Sequence, residues 1–151
     1  MKAYRHILVP TDGTNLSLKA AREAGVLAKE LGARVTAVYV TPPWTPPMMD
    51  ESAVLADFSY SQEAYAESQA KRAGDALAKV ERTLAAGKVK CDKLQVNGAQ
   101  PWESIIKTAR TKKCDLIVMA SHGRKGLGAL ILGSETTKVL THSRTPVLVC
   151  R

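Results

Sequence analysis

Five short runs of aliphatic and β-branched residues, separated by segments long enough for helices, constrain this chain more than any other feature. They are His6–Val9, Arg34–Val40, Val89–Val96, Leu116–Met119 and Pro146–Cys150. No two of them are joined by the two-residue turn that antiparallel neighbours use, so the chain must cross over between strands, and the strands must pair in parallel. The intervening segments read as helices. From Asn15, Leu18, Ala21, Ala24, Ala28 and Leu31 fall at helical spacing, with Thr14 as N-cap and Gly32 as the stop. Pro42, Pro43, Pro46 and Pro47, with Trp44, Met48 and Met49 among them, exclude both a helix and a central strand and read as a crossover loop rather than a polyproline ligand. A long helix covers Tyr65–Ala86, with a start as early as Ser61, and turns Leu77, Val80 and Leu84 inward. Pro101 opens the next helix. Its Ile105, Ile106 and Ala109 face the core, while Lys107, Arg110, Lys112 and Lys113 point outward near the end where the helix dipole favours cations. Residues 120–134 read as a glycine-bearing loop and 135–143 as the last helix. The expected architecture is an α/β sandwich of three layers around a five-stranded parallel sheet, one domain over residues 1–151.

Composition agrees. A chain of 151 residues with 45% apolar and 24% charged side chains suits one globular domain with its own core. No apolar run approaches the ~18 residues of a membrane span, and Ile7-Leu8-Val9 stops at Pro10, too short for a signal-peptide core. The expected location is the cytoplasm, and no membrane partner is expected. Cys91, Cys114 and Cys150 are odd in number, lack C-x-x-C spacing and sit in or beside apolar runs, so they read as buried reduced thiols rather than a metal or redox site.

Net charge is +8, and residues 101–151 carry 9 basic against 3 acidic side chains. This balance suits an anionic ligand or a solvated face. With only 5% aromatic residues, there is little to stack against single-stranded nucleic acid, which is not an expected partner.

In parallel α/β sheets, ligands bind beyond the carboxyl ends of the strands, where the winding reverses. Two strand ends here carry polar chemistry. One is Pro10-Thr11-Asp12-Gly13-Thr14. The other is Ala120-Ser121-His122-Gly123, extended to Gly133-Ser134-Glu135-Thr136. Gly133-Ser134 opens a helix whose free N–H groups and dipole favour an anion, and Ser134 and Thr136 add hydroxyl donors. Gly133 is expected to hold a backbone conformation closed to β-branched residues. A carboxylate at Asp12 repels phosphate, so Asp12 reads either as an acceptor for a base or ribose or as a turn residue. Val40 reads as a surface for a flat base or as plain core. His122 reads as a proton acceptor or as a cap on the strand end, and Arg124 and Lys125 as phosphate contacts or solvated charges.

Two phosphate motifs are excluded. Gly128–Gly133 has Walker A spacing, but Ser134 and Glu135 stand where Lys and Ser or Thr are required. Gly126-Leu127-Gly128 lacks the third glycine of a dinucleotide fingerprint and follows no strand directly.

The segments ILVPTDG, PWESII, CDLIVMASHGRKGL, ILGSETTKVL and TPVLVCR together resemble the universal stress proteins across essentially the whole chain. The nucleotide-binding branch of that family carries G-x2-G-x9-G-[ST]. Here the pattern reads Ala120-Ser121-His122-Gly123, nine residues, then Gly133-Ser134, with alanine at the first glycine position. The apolar run leading into Ala120 favours an extended backbone there. The resemblance implies strand order 3-2-1-4-5, an arrangement like that of the adenine nucleotide alpha hydrolases. It also implies ATP or AMP between the first and fourth strands, with Mg as a companion ion, and a homodimer through Val147, Leu148 and Val149. It assigns Asp12 and Val40 to adenosine, and Gly123, Gly133, Ser134 and the following amides of Glu135 and Thr136 to phosphate. Thr11, His122 and Arg124 complete the candidate set; no catalytic residue or metal ligand is assigned. The expected function is a nucleotide-responsive stress-response module acting through a partner protein. A slow ATPase using the same loop and a nucleotide-free dimeric scaffold are the alternatives.

Overall fold

The computed structural model describes residues 3–46, 61–122 and 131–151, and all five apolar runs become strands. In chain order the elements are β1 (His6–Pro10), α1 (Asn15–Leu31), β2 (Arg34–Thr41), α2 (Gln62–Ala86), β3 (Cys91–Asn97), α3 (Pro101–Thr111), β4 (Leu116–Ala120), α4 (Ser134–His142) and β5 (Val147–Cys150). The sheet order is β3-β2-β1-β4-β5, and every neighbouring pair is parallel. The winding reverses between β1 and β4, as the resemblance implied.

α1 and α2 cover one face of the sheet and α3 and α4 the other, each over its own apolar cluster. Ile7, Leu8 and Val9 are fully buried between the layers, as are Ile117 and Val118. Each such side chain stabilises the fold by roughly 1.5–3 kcal/mol relative to exposure. α1 presents Ser17, Ala20, Ala21, Ala24 and Ala28 to the sheet, so small side chains bring it close. Leu31 is exposed, contrary to its helical spacing, because Gly32 takes a left-handed conformation (φ 63°) and turns the chain into β2 there.

β3 starts two residues later than the apolar pattern suggested. Lys88 is left-handed and the Val89 amide donates to the Leu84 carbonyl, so Val89 caps the end of α2 and packs into the core instead of joining the ladder. α4 begins at Ser134, one residue early. The cysteines are unbridged; Cys114 and Cys150 are buried, whereas Cys91 is only half-buried. Burial pushes the Cys114 thiol up to about 11, leaving it unreactive at neutral pH. Among the described residues, no helix is long and apolar enough to cross a membrane.

At the amino ends of the strands, Asp115 accepts hydrogen bonds from the Arg5 and His6 amides and ties the start of β1 to that of β4. His6 is buried, with Nε2 2.8 Å from Thr36 Oγ1. Burial and the nearby Arg34 lower its pKa below 6.5, against the opposing pull of the Lys112 backbone, Asp115 and Asp92. Below pH 6.5 the unfolded chain therefore binds a proton that the folded chain resists. Stability is full above that value and falls with pH until the folded-state pKa is passed. His6→Gln is expected to flatten the fall in melting temperature as the pH is lowered below 6.5. An unchanged slope in thermal melts would assign the acid sensitivity to other groups.

Candidate functional site

Parallel pairing brings the carboxyl ends of β1 and β4 to one edge of the sheet. At the end of β1, the Thr11 amide donates to the Val38 carbonyl (2.9 Å), carrying the ladder one residue past the strand. The Thr11 hydroxyl is buried, lies 3.1 Å from Ser17 Oγ and accepts from the Gly13 amide. It therefore holds α1 against the strand and does not face solvent. Gly13 has φ 83°, which lets the chain turn sharply into the helix. Asp12 Oδ1 accepts from the Thr14 amide (2.9 Å) and the Thr14 hydroxyl (2.6 Å), and Thr14 Oγ1 accepts from the Ser17 amide. The turn role foreseen for Asp12 is thus present, and it braces the N-cap of α1. One strand across, Val40 is half-buried near the end of β2 and packs against the α3 side of the core.

At the end of β4, Ala120 belongs to the strand, opposite Cys150, and is extended as its sequence context suggested. Its methyl adds bulk without backbone strain. The Ser121 amide donates to the Cys150 carbonyl (2.8 Å), and the Ser121 carbonyl accepts from the Gly133 amide (2.7 Å). This second bond seats the start of α4 directly on the strand end.

Gly133 has φ −60° and ψ 153°, a conformation open to any residue. The expected backbone constraint is absent, and the need for glycine is one of space. A Cβ at Gly133 would lie 2.9 Å from His122 Cα and 3.3 Å from the Ser121 carbonyl oxygen. Gly133 supplies no side-chain cap, and the first bond inside α4 runs from the Thr137 amide to the Gly133 carbonyl. The amides of Ser134, Glu135 and Thr136 precede that bond and lie at the positive end of the helix dipole.

The side chains of this turn differ in use from what their types suggested. Ser134 is exposed. The buried Thr136 hydroxyl donates to the Ala120 carbonyl (2.9 Å), so it tethers α4 to β4 and leaves only its amide for a ligand. Glu135 turns away from the strand end and accepts from the Trp102 amide (2.9 Å) in the first turn of α3. His122 Nδ1 sits 3.1 Å from Ser121 Oγ, a contact between neighbouring side chains and not the bond to a carbonyl by which it would cap the strand end. Gly123, Arg124 and Lys125 lie outside the described residues. Among those described, no three His, Cys, Asp or Glu side chains converge as a metal site. Ser17 and Trp102 were given no role by the sequence, and their contacts with Thr11 and Glu135 join separate elements of the fold.

The universal stress protein family matches residues 3–151 of the chain. Universal stress protein MJ0531 of Methanocaldococcus jannaschii is 35% identical over 149 residues, which are 98% of this chain and 82% of its own. The universal stress protein UspA from Lactobacillus plantarum shares the fold with a TM-score of 0.81 at 24% identity, covering 100% of both chains. A universal stress protein solved in complex with cAMP aligns with a TM-score of 0.68 at 24% identity, over 99% of this chain and 98% of that one. One from Archaeoglobus fulgidus in complex with dAMP aligns with a TM-score of 0.69 at 16% identity, over 99% of this chain and 100% of the other. The strand order β3-β2-β1-β4-β5 and the alternation of helices with parallel strands agree with these likenesses. The chain belongs to the universal stress protein family.

Proposed function

We propose that this protein binds an adenine nucleotide, ATP or AMP, across the crevice beyond β1 and β4 and acts as a nucleotide-responsive dimer. The observation that carries the reading is the start of α4. Three amides there precede the first internal bond of the helix, at a junction too tight for a Cβ at Gly133. Backbone donors fixed in this way suit a phosphate. The residues at the β1 end suit the other half of the ligand, with Val40 offering an apolar surface and Asp12 an acceptor, so adenosine lies toward β1 and phosphate toward α4. That relatives of this fold have been solved with cAMP and dAMP supports the ligand class. Mass spectrometry of small molecules released from the purified, denatured protein, with calorimetric titration of ATP and AMP, tests the reading. An adenine nucleotide recovered or bound supports it; neither would leave a nucleotide-free dimeric scaffold.

Asp12 offers a test of the ligand's direction. Asp12→Ala is expected to weaken ATP binding by about 1.5–3 kcal/mol, roughly ten- to a hundredfold, and to leave inorganic triphosphate almost unchanged. Asp12→Asn keeps the oxygen that accepts from Thr14, so it separates the ligand contact from the turn. Equal losses for ATP and triphosphate would reverse the proposed polarity.

The dimer is proposed through β5. The opposite edge strand, β3, carries Asp92, Lys93 and Gln95, and Lys93 Nζ lies 2.7 Å from Glu81. Such charges discourage edge-to-edge pairing. β5 reads Val147-Leu148-Val149-Cys150, with Leu148 43% exposed, so it has no such protection.

A further inference from the structure

The geometry points to Glu135 as a positioning residue that locks the start of α4 to the start of α3 and so fixes the amides proposed to hold phosphate. The inference rests on the nucleotide reading above and names a residue that acts through another element. Glu135 stands in the first turn of α4, where a carboxylate facing the ligand would repel it. Instead Oε2 accepts from the Trp102 amide at 2.9 Å, and Oε1 lies 3.8 Å from Lys138 Nζ.

The first turn of α3 needs that partner. Pro101 opens the helix, Gln100 supplies no side-chain cap, and the Trp102 amide has no acceptor inside its own helix. Glu135 therefore caps α3 from α4, and the positive end of the α3 dipole neutralises a charge that would otherwise stand beside the phosphate. The same two helices meet again at the other end of α4, where the Trp102 and His142 rings lie 4.8 Å apart. With Gly133 bonded to Ser121 and Thr136 to Ala120, the first turn of α4 is held from the strand on one side and from α3 on the other. Without the carboxylate, the hydrogen bonds that hold the first turn come only from the strand side.

Glu135→Ala and Glu135→Gln distinguish this role from simple stabilisation. ATP, inorganic triphosphate and adenosine are titrated calorimetrically, and exchange of the Trp102 amide is followed by NMR in the free proteins. Glu135→Ala is expected to weaken ATP and triphosphate about tenfold, leave adenosine unchanged and speed exchange at Trp102. Glu135→Gln, whose amide oxygen accepts the same bond, is expected to restore both affinity and protection. Glu135→Asp, one methylene short of Trp102, takes the place of the alanine variant if that variant does not fold. Faster exchange with phosphate affinity unchanged would overturn the inference alone, as would tighter triphosphate binding by Glu135→Ala. A wild type that binds neither ATP nor triphosphate would overturn the nucleotide reading itself and this inference with it.

Discussion

Gly133→Val is expected to abolish detectable binding of ATP and AMP in a protein that still melts cooperatively. The substitution places a Cβ 2.9 Å from His122 Cα, and both neighbours of that position include backbone atoms, which cannot swing aside as a long side chain can. Either α4 lifts from the strand end or the His122 backbone moves, and each displaces the three amides from the position that the Gly133–Ser121 bond defines. Losing their joint contact with phosphate is expected to cost at least about a hundredfold in affinity, ~2.7 kcal/mol. Overpacking of this kind destabilises by about 1–3 kcal/mol, so the fold should survive. Gly133→Ala, with the same Cβ and no branching, should fall between valine and wild type. Calorimetric titration beside a melting curve decides the matter. Undiminished affinity in a folded valine variant would move phosphate away from α4.

Val149→Lys is expected to convert the dimer proposed through β5 to monomer at micromolar concentration. The Ile117 amide donates to the Pro146 carbonyl and the Ser121 amide to the Cys150 carbonyl, so the even-numbered residues of this stretch direct their backbone groups at β4. In a parallel ladder the alternate residues, Val147 and Val149, then turn their N–H and C=O groups toward the open edge. Pairing with a second copy satisfies those groups and covers Leu148. Val149→Lys places a charge in that seam, and Val147→Pro removes an outward donor without touching the bonds to β4. Light scattering should show the mass halved in each variant. A monomeric wild type would refute the assembly, and so would an unchanged dimer in both folded variants.

The strands and helices were legible because each apolar run is short and alternates with a helical period, and Gly or Pro marks an end of every run except Leu116–Met119. The errors fall where an apolar residue serves something other than its own element. Val89 looks like the first residue of a strand yet closes α2, and Leu31 keeps helical spacing but meets the turn at Gly32. At the site, the glycine at 133 and the carboxylate at 12 were visible as types at strand ends. The steric reason for Gly133 was not, since it depends on His122, which the fold brings back against it. The tethers of Thr136 and Glu135 were hidden for the same reason, because their partners Ala120 and Trp102 are 16 and 33 residues away and are set by tertiary packing.

The position of β1 bears on how the chain is made. Of the five strands, the one that comes first in the chain is the middle one of the sheet, and its partner β4 is completed only with Ala120. Until then a nascent chain can assemble β1, β2 and β3 under α1 and α2, but one side of Ile7-Leu8-Val9 stays unpaired and the Arg5 and His6 amides wait for Asp115. An open apolar edge on a growing chain is a template for misassembly. Translation that stalls before residue 116 should therefore leave an aggregation-prone half-sheet, open along the side of β1 that β4 later covers.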